Sequence, residues 1–498
     1  MSSRLTLSEM TKILEGAFKR LLEMNAPPSD TEALEIRSLI RNLRYRMADI
    51  PRYNVFMDAE RDDIQRAITA HEALLSPARY LPAEILMQIF SYTIEGYFDV
   101  LRVDAGPWVL SHVSRSWRYV ATACPELWTS FVLPWETLQP RPSGAYELLE
   151  SVLSRTCNSP LSITFTPEAA TPGANFFYQR LLSESHRWKN ARIFVPNNVY
   201  DAFNQQLTSL PRLKSLELVV DLVRAEKESP SLFAPFEAAP RLQNVAISGT
   251  KPLATVNLPK VRLPWAQLTR FSTEHIRNID HLIEILHNTP KLRELELPCL
   301  KWHHPKYAES LGVHEGVESL RIWDPRLLDY LCLPSMRSID LELDIKDKYA
   351  TALGKFVARS QCSPRRLRLV NARPEERLTL LKDIPSLSHL IIEEGFHGRE
   401  HVESLFKSLH RESGEELLPH LEHFEWTADI SCFQFDGKCM LDMIESRWRL
   451  PVDSEVTRLR SVKVSCRTFR SKLSTIALRR VAKLRAEGLD IDIAFVRS

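Results

Sequence analysis

Apolar side chains recur at helical spacing through the first 75 residues. Met10, Ile13, Leu14, Ala17, Phe18, Leu21 and Leu22 make one stripe, which Pro27 and Pro28 end. Ser29 and Glu32 have the spacing of a capping box and open a second helix, with a stripe through Leu34/Ile36, Leu39/Ile40, Leu43 and Met47 up to Pro51. A third stripe runs from Asp58 to Leu75 through Ile64, Ala67/Ile68, His71 and Leu74/Leu75. Each stripe needs a surface to bury, so residues 1–77 are predicted to form an antiparallel bundle or coiled-coil hairpin. That bundle braces its neighbour in the chain or pairs with another copy.

The pattern then condenses. From Leu81 to Phe90, Leu81, Ile85, Leu86, Ile89 and Phe90 share a helical face, with Pro82 at the expected first helical position and Glu84 in the first turn. A second segment, Trp108 to Ala121, aligns Val109, Leu110, Val113, Trp117 and Val120/Ala121, with Arg115 and Arg118 beside the stripe. A turn with a heavy anchor follows at Cys124 to Trp128. About fifty residues cannot hide this many apolar side chains, so an exposed apolar face is expected unless the rest of the chain covers it.

The ordered motifs LPAEILMQIF, VSRSWRYVA and PELW resemble the F-box, in the F-box-like form common in large fungal families. The likeness covers about a tenth of the chain. It departs at Ser91 to Pro107, a variable stretch, and at Ser114, where a Cys is often found. The resemblance implies a three-helix module over 78–133 that binds the Skp-type adaptor of an SCF ubiquitin ligase and, through it, a cullin. The adaptor contacts or their supporting core would be Leu81, Pro82, Ile85, Leu86, Ile89, Phe90, Val113, Trp117 and Arg118.

Breakers concentrate from Pro134 to Gly144, which marks 134–145 as a linker. Beyond it the spacing P-x-L-x-x-L-x-L occurs at Pro211 to Leu218 and at Pro290 to Leu297. Looser copies stand at Pro240 to Ile247, Leu268 to Thr273, Val317 to Ile322, Pro334 to Leu341, Pro364 to Leu369, Pro385 to Ile392, Pro419 to Trp426 and Leu459 to Val464. Weaker ones stand at Leu161 to Phe165 and Trp188 to Ile193. Alternate leucines share one face of a strand, and helical stripes such as Ile279, Leu282, Ile283, Ile285 and Leu286 lie between copies. A strand and a helix every two dozen residues or so resembles an irregular leucine-rich-repeat solenoid, lacking the usual Asn after the last Leu.

The expected fold class is therefore α/β. An N-terminal helical hairpin or bundle and a three-helix F-box-like module precede a solenoid over 146–498, with a parallel sheet on its concave face and helices outside. The outward strand positions line that face in the order Glu294 and Glu296, Arg321 and Trp323, Asp340 and Glu342, Arg366 and Arg368, the expected contacts for a protein substrate. From Ser471 to Glu487 a closing helix is expected, with Ile476, Leu478, Val481 and Leu484 packed on the last repeat.

Composition removes alternatives. A net charge of +2 gives no global field for nucleic acid or an anionic membrane, and the basic C-terminal stretch has only Phe469 as an interleaved aromatic. A nuclear-import signal is the other reading of those cations. Eight scattered cysteines without a CxxC pair predict reduced thiols and a cytoplasmic or nuclear location, and no long apolar run predicts a membrane span. Only 14 glycines accompany 31 prolines, too few for phosphate cradles or nucleophile elbows, so an enzyme is not expected. His397 to His401 spells HxxEH, but Gly398 weakens a helix start and no third ligand is visible, so no metal or cofactor is assigned. The expected function is the substrate-recognition subunit of an SCF-type ligase, with a non-degradative interaction scaffold as the alternative.

Overall fold

The structure is a computed structural model. It describes residues 21, 26–50, 58–134, 142–166, 174–195, 206–207, 209–220, 234–249, 261–274, 276, 279–298, 311–343, 350–396, 399–411, 417–429, 435, 437–451, 454, 456–467 and 473–496. The chain divides into two units, one of residues 1–177 with 187–191 and another of 178–186 with 192–498.

The first unit begins with a helical pair. Helix α1 (Asp30–Asp49) starts on the Ser29 cap, whose hydroxyl accepts the Glu32 N–H while the Glu32 carboxylate accepts the Ser29 N–H, the reciprocal box that the spacing predicts. Helix α2 (Asp58–Leu74) packs Ile64, Ile68 and Leu74 with Ile36, Ile40 and Leu43 of α1 and with Leu21 in one buried cluster. The stripe expected at Met10 to Leu22 lies, apart from Leu21, outside the described residues. Arg79 donates to the carbonyls of Leu21 and Ala26, and the Tyr80 hydroxyl to that of Pro28, which ties the hairpin to the next helices.

Those helices are α3 (Ala83–Thr93), α4 (Gly106–Val113) and α5 (Arg115–Thr122). Pro82 is the cap of α3 rather than its first residue. The apolar run Trp108 to Ala121 is two helices, because Ser114 turns to extended backbone and its hydroxyl accepts the Trp117 N–H, starting α5 afresh. Strands β1 (Phe98–Asp99), β2 (Ser130–Val132) and β3 (Leu161–Phe165) are parallel neighbours, and β1 falls within the stretch that has no counterpart in the motif. Helix α6 (Pro142–Arg155) brings Arg155 over two indoles, 4.7 Å from the ring centre of Trp108 and 4.3 Å from that of Trp128. The two indoles meet edge to face at 4.9 Å. The division between the units falls within strand β4 (Trp188–Val195).

All ten repeat copies place a strand in the second unit. β5 (Ser215–Val220), β6 (Asn244–Gly249), β7 (Arg270–Thr273) and β8 (Glu294–Leu297) pair in sequence order, all parallel. Short β9 (Gly312–Val313) and β11 (Leu331–Cys332) pair separately. The main ladder continues through β10 (Ser319–Ile322), β12 (Ser338–Glu342), β13 (Arg366–Val370), β14 (His389–Phe396), β15 (His423–Asp429) and β16 (Ser461–Arg467) to β17 (Asp490–Val496). The repeat leucines are the core: Leu213, Leu216, Leu218, Leu292, Leu295 and Leu297 are buried. Between strands run helices α7 (Ile279–Asn288), α8 (Ala350–Ser360), α9 (Pro374–Lys382), α10 (Arg399–Leu409), α11 (Lys438–Trp448) and α12 (Thr475–Ala486). The second unit is thus a parallel α/β stack built by repetition.

The closing helix differs from expectation. Val481 and Leu484 are buried as the stripe predicts, but in the first turn Ala477, which is four and seven residues before them, is buried while Ile476 and Leu478 stand exposed. Strand β17 then extends the sheet past that helix, which the loose spacing at the C-terminus did not reveal. Arg447 of α11 is buried and donates to the carbonyls of Leu409, Leu417 and Leu418, holding two chain segments that are not consecutive.

Candidate functional site

Two faces carry the residues singled out in the sequence. In the first unit, α3 is divided along its length. Leu86 and Phe90 are buried, and the Phe90 ring meets Trp117 of α5 at 4.9 Å. Ile85 and Ile89, on the other side, are 41% and 39% exposed, and Pro82 before them is open to solvent. Helix α4 repeats the division, with Trp108 and Ser111 inside and Val109 and Val113 outside. Leu81 and Trp117 are half-buried, and Arg118 is exposed with no ion pair among the described residues. So Leu86 and Phe90 form the module's own core, Pro82, Ile85, Ile89, Val113 and Arg118 are free to meet another molecule, and Leu81 and Trp117 lie between. Exposed Val109, Tyr92 and Tyr119 were not in the sequence-derived set, although Val109 and Val113 are one helical turn apart.

The exposed apolar side chains have a common cause. A short helix with apolar residues at both Leu86/Phe90 and Ile85/Ile89 has a wider apolar arc than one packing partner covers. Burying the exposed two fifths of Ile85 and Ile89 against another protein is worth about 0.6–1.2 kcal/mol for each side chain.

The second face is the outward side of the repeat strands. Its register brings Glu296, Arg321, Asp340 and Arg368 into one row, and Glu294, Ser319, Ser338 and Arg366 into another. The expected pairing of rungs was therefore offset: Trp323 and Glu342 lie beyond both rows, with Glu342 beside Val370. Trp323 follows β10 and is half-buried, next to the Asp324 cap of the short helix Pro325–Tyr330.

The charges in these rows satisfy one another. Arg270 reaches Glu296 at 2.7 Å and Glu294 at 3.3 Å, and Arg321 lies between Glu296 at 4.0 Å and Asp340 at 3.5 Å. Arg366 binds Asp340 at 2.6 Å, and Arg368 grips Glu393 through two bonds of 2.9 and 2.8 Å. The Glu393 hydrogen bond holds the Arg368 guanidinium above its ordinary pKa. Opposite charges on neighbouring strands stabilise the sheet, so most of these side chains serve the fold before any partner. Glu342 has no ion pair among the described residues.

Sequence reasoning missed a polar recess of about 280 Å³ on the same face, between Glu217 of β5 and Arg270 and Glu296. It exists because Ala246 and Ser272 occupy outward positions that hold long charged side chains elsewhere. Two small outward residues in successive repeats were the available signal. Among the described residues no group of His, Cys, Asp and Glu is arranged to hold a metal ion, and no helix is long and apolar enough to cross a membrane. Of the HxxEH stretch, His397 and Gly398 lie outside the described residues.

No family model matches the chain, and no curated protein matches it. Among solved structures it is similar to the crystal structure of the Rad7 and Elc1 complex in yeast, at 14% identity and a TM-score of 0.30, over 86% of this chain and 96% of that one.

Proposed function

We propose that the chain is the substrate-recognition subunit of an SCF-type ubiquitin ligase. Its α3–α5 module is an F-box-like domain that holds a Skp-type adaptor and, through it, a cullin. The repeat unit holds the protein to be ubiquitylated. The carrying observation is the exposed pair Ile85 and Ile89 on a helix whose opposite side is sealed by Leu86 and Phe90, within the ordered motifs LPAEILMQIF, VSRSWRYVA and PELW.

The mechanism is proximity. The chain supplies no catalytic side chain and needs no cofactor; it raises the effective concentration of a substrate lysine near a ubiquitin-loaded enzyme held elsewhere on the complex. In this reading the substrate meets the outward strand face, where Trp323, Glu342 and the recess beside Ala246 are open to a partner without first breaking an ion pair, and the protein works in the cytoplasm or nucleus.

Co-purification of the full chain with both a Skp-type adaptor and a cullin tests the reading. Loss of both on changing Ile85 and Ile89 to Asp supports it. Adaptor without cullin identifies a non-degradative scaffold, and neither with the wild type removes the ligase assignment.

A further inference from the structure

The sheet of the second unit stops, among the described residues, on a long open strand. β17 pairs with β16 over the registered positions Asp490 to Val496, and no described strand lies on its other side. Asp490 donates its N–H to the Arg460 carbonyl, toward β16. Successive residues of a strand turn their backbone groups to opposite sides, so Ile491, Ile493 and Phe495 direct theirs to the open side. Arg485 of α12 fills the first of these, donating to the Ile491 carbonyl at 2.9 Å. The N–H and C=O groups of Ile493 and Phe495 have no described strand to pair with.

Side chains mark the same edge. Val464 and Cys466 of β16 are buried, whereas Ile493 and Phe495, registered beside them, are only half-buried. The inward layer there lacks the cover that a next strand gives. On the outward side Asp490 and Asp492 are exposed and make no ion pair among the described residues. Within the sheet, outward acids such as Asp340 and Glu393 are matched by arginines on the neighbouring strand.

We propose that this edge takes up an extended segment of a partner protein as one more strand, with Lys or Arg beside Asp490 and Asp492 and apolar residues beside Ile493 and Phe495. Backbone hydrogen bonds hold such a strand, and its alternate side chains select it. The apolar ones cover Ile493 and Phe495, and the basic ones supply the missing counter-charge. Two acids on the open edge also favour a strand of opposite sign over a second copy of this one. The site belongs to the second unit alone and does not rest on the adaptor face.

The test titrates the full-length protein with the end-blocked peptide Lys-Val-Lys-Val-Thr-Val, its counterpart Glu-Val-Glu-Val-Thr-Val, and a copy of the first with every backbone amide N-methylated, all at one ionic strength. The lysine peptide binds saturably, and the other two bind about tenfold more weakly or less tightly still. Asp490→Lys with Asp492→Lys, both at exposed positions, exchanges the preference in favour of the glutamate peptide. Ile493→Pro removes an outward N–H and leaves the β16 ladder its bonds, so it weakens lysine-peptide binding about tenfold. Absence of saturable binding, equal binding of the methylated copy, or an unchanged preference in the folded charge-reversed variant overturns the proposal. A concentration-dependent dimer in sedimentation that Ile493→Pro dissociates assigns the edge to a second copy and overturns it as well.

Discussion

The rings of Phe90 and Trp117 lie 4.9 Å apart at an interplanar angle of 55°, and this contact separates what folds the helical module from what the module offers. Phe90→Ala is expected to cost about 3–5 kcal/mol of stability, since it opens a cavity under a fully buried ring. Changing Ile85 and Ile89 to Asp is expected to cost about 1 kcal/mol of stability for each site, well below the Phe90 change, while abolishing adaptor pull-down. Thermal unfolding and pull-down on the same preparations check both; adaptor capture intact in the folded double variant sinks the adaptor face.

Arg155 is held by aromatic faces. It sits over Trp108 and Trp128, and its Nη1 is buried without an acceptor. Burial lowers the pKa of this guanidinium. Arg155→Met keeps the apolar stem and removes the cation, at an expected cost of about 1–2 kcal/mol in thermal unfolding. Because the change is local to two indoles, tryptophan fluorescence should shift in the folded variant as well.

Asp340 is the junction of the outward charge network, with its side chain only 13% exposed between Arg321 and Arg366. Asp340→Asn is expected to destabilise the repeat unit by about 1–3 kcal/mol, since two arginines lose the negative charge they share and one of its two accepting oxygens becomes an amide donor. Glu294→Gln, at 48% side-chain exposure, should change stability by less than about 1 kcal/mol. Chemical denaturation of the two variants gives the ranking, and equal effects would mean that the network acts only as a solvated surface.

His389 supplies a pH dependence. Burial pushes its pKa below 6.5, against the opposing effect of the Glu425 carboxylate at 3.1 Å, while His423 and Arg366 add to the lowering. The folded state therefore favours the neutral ring, and the unfolded chain binds the proton more readily. Stability from this group is complete above pH 6.5 and declines as pH falls from there through the depressed value. Melting temperatures of the wild type and His389→Gln should converge or cross over that window; parallel curves would show that another group is responsible.

The repeat was legible because its signal is the core itself. Leu292, Leu295 and Leu297 are spaced as they are because one sits under the turn and two face inward from β8, and every strand that repeats this demand repeats the spacing. The cap at Ser29 was legible for the same local reason. The break at Ser114 was hidden because apolar periodicity runs straight through it, and one hydroxyl bonded to the Trp117 N–H outweighs a stripe. Likewise, the charges on Arg321, Asp340 and Arg366 were visible, but their mutual ion pairs depend on register across three strands, which spacing within one strand does not give. On α3 the sequence showed a broad apolar arc, but not that the Phe90 side of it would meet Trp117 and leave the Ile85 and Ile89 side open.

In the second unit, among the described residues, the strands from β12 through β16 each pair with the strand before and the strand after, and β17 pairs with β16, all in the same direction. A tensile load on Asp490–Val496 would therefore meet one ladder at a time, first the seven registered positions shared with β16 and then the seven between β16 and β15. Such a stack yields in steps, like a zip fastener, and each step exposes the inward side chains of a single repeat while those behind it keep their neighbours. Pulled from that end, the protein should lengthen through a series of similar force peaks instead of one cooperative rupture, so that a partner seated near β5 to β8 would stay held while the far end is already extended.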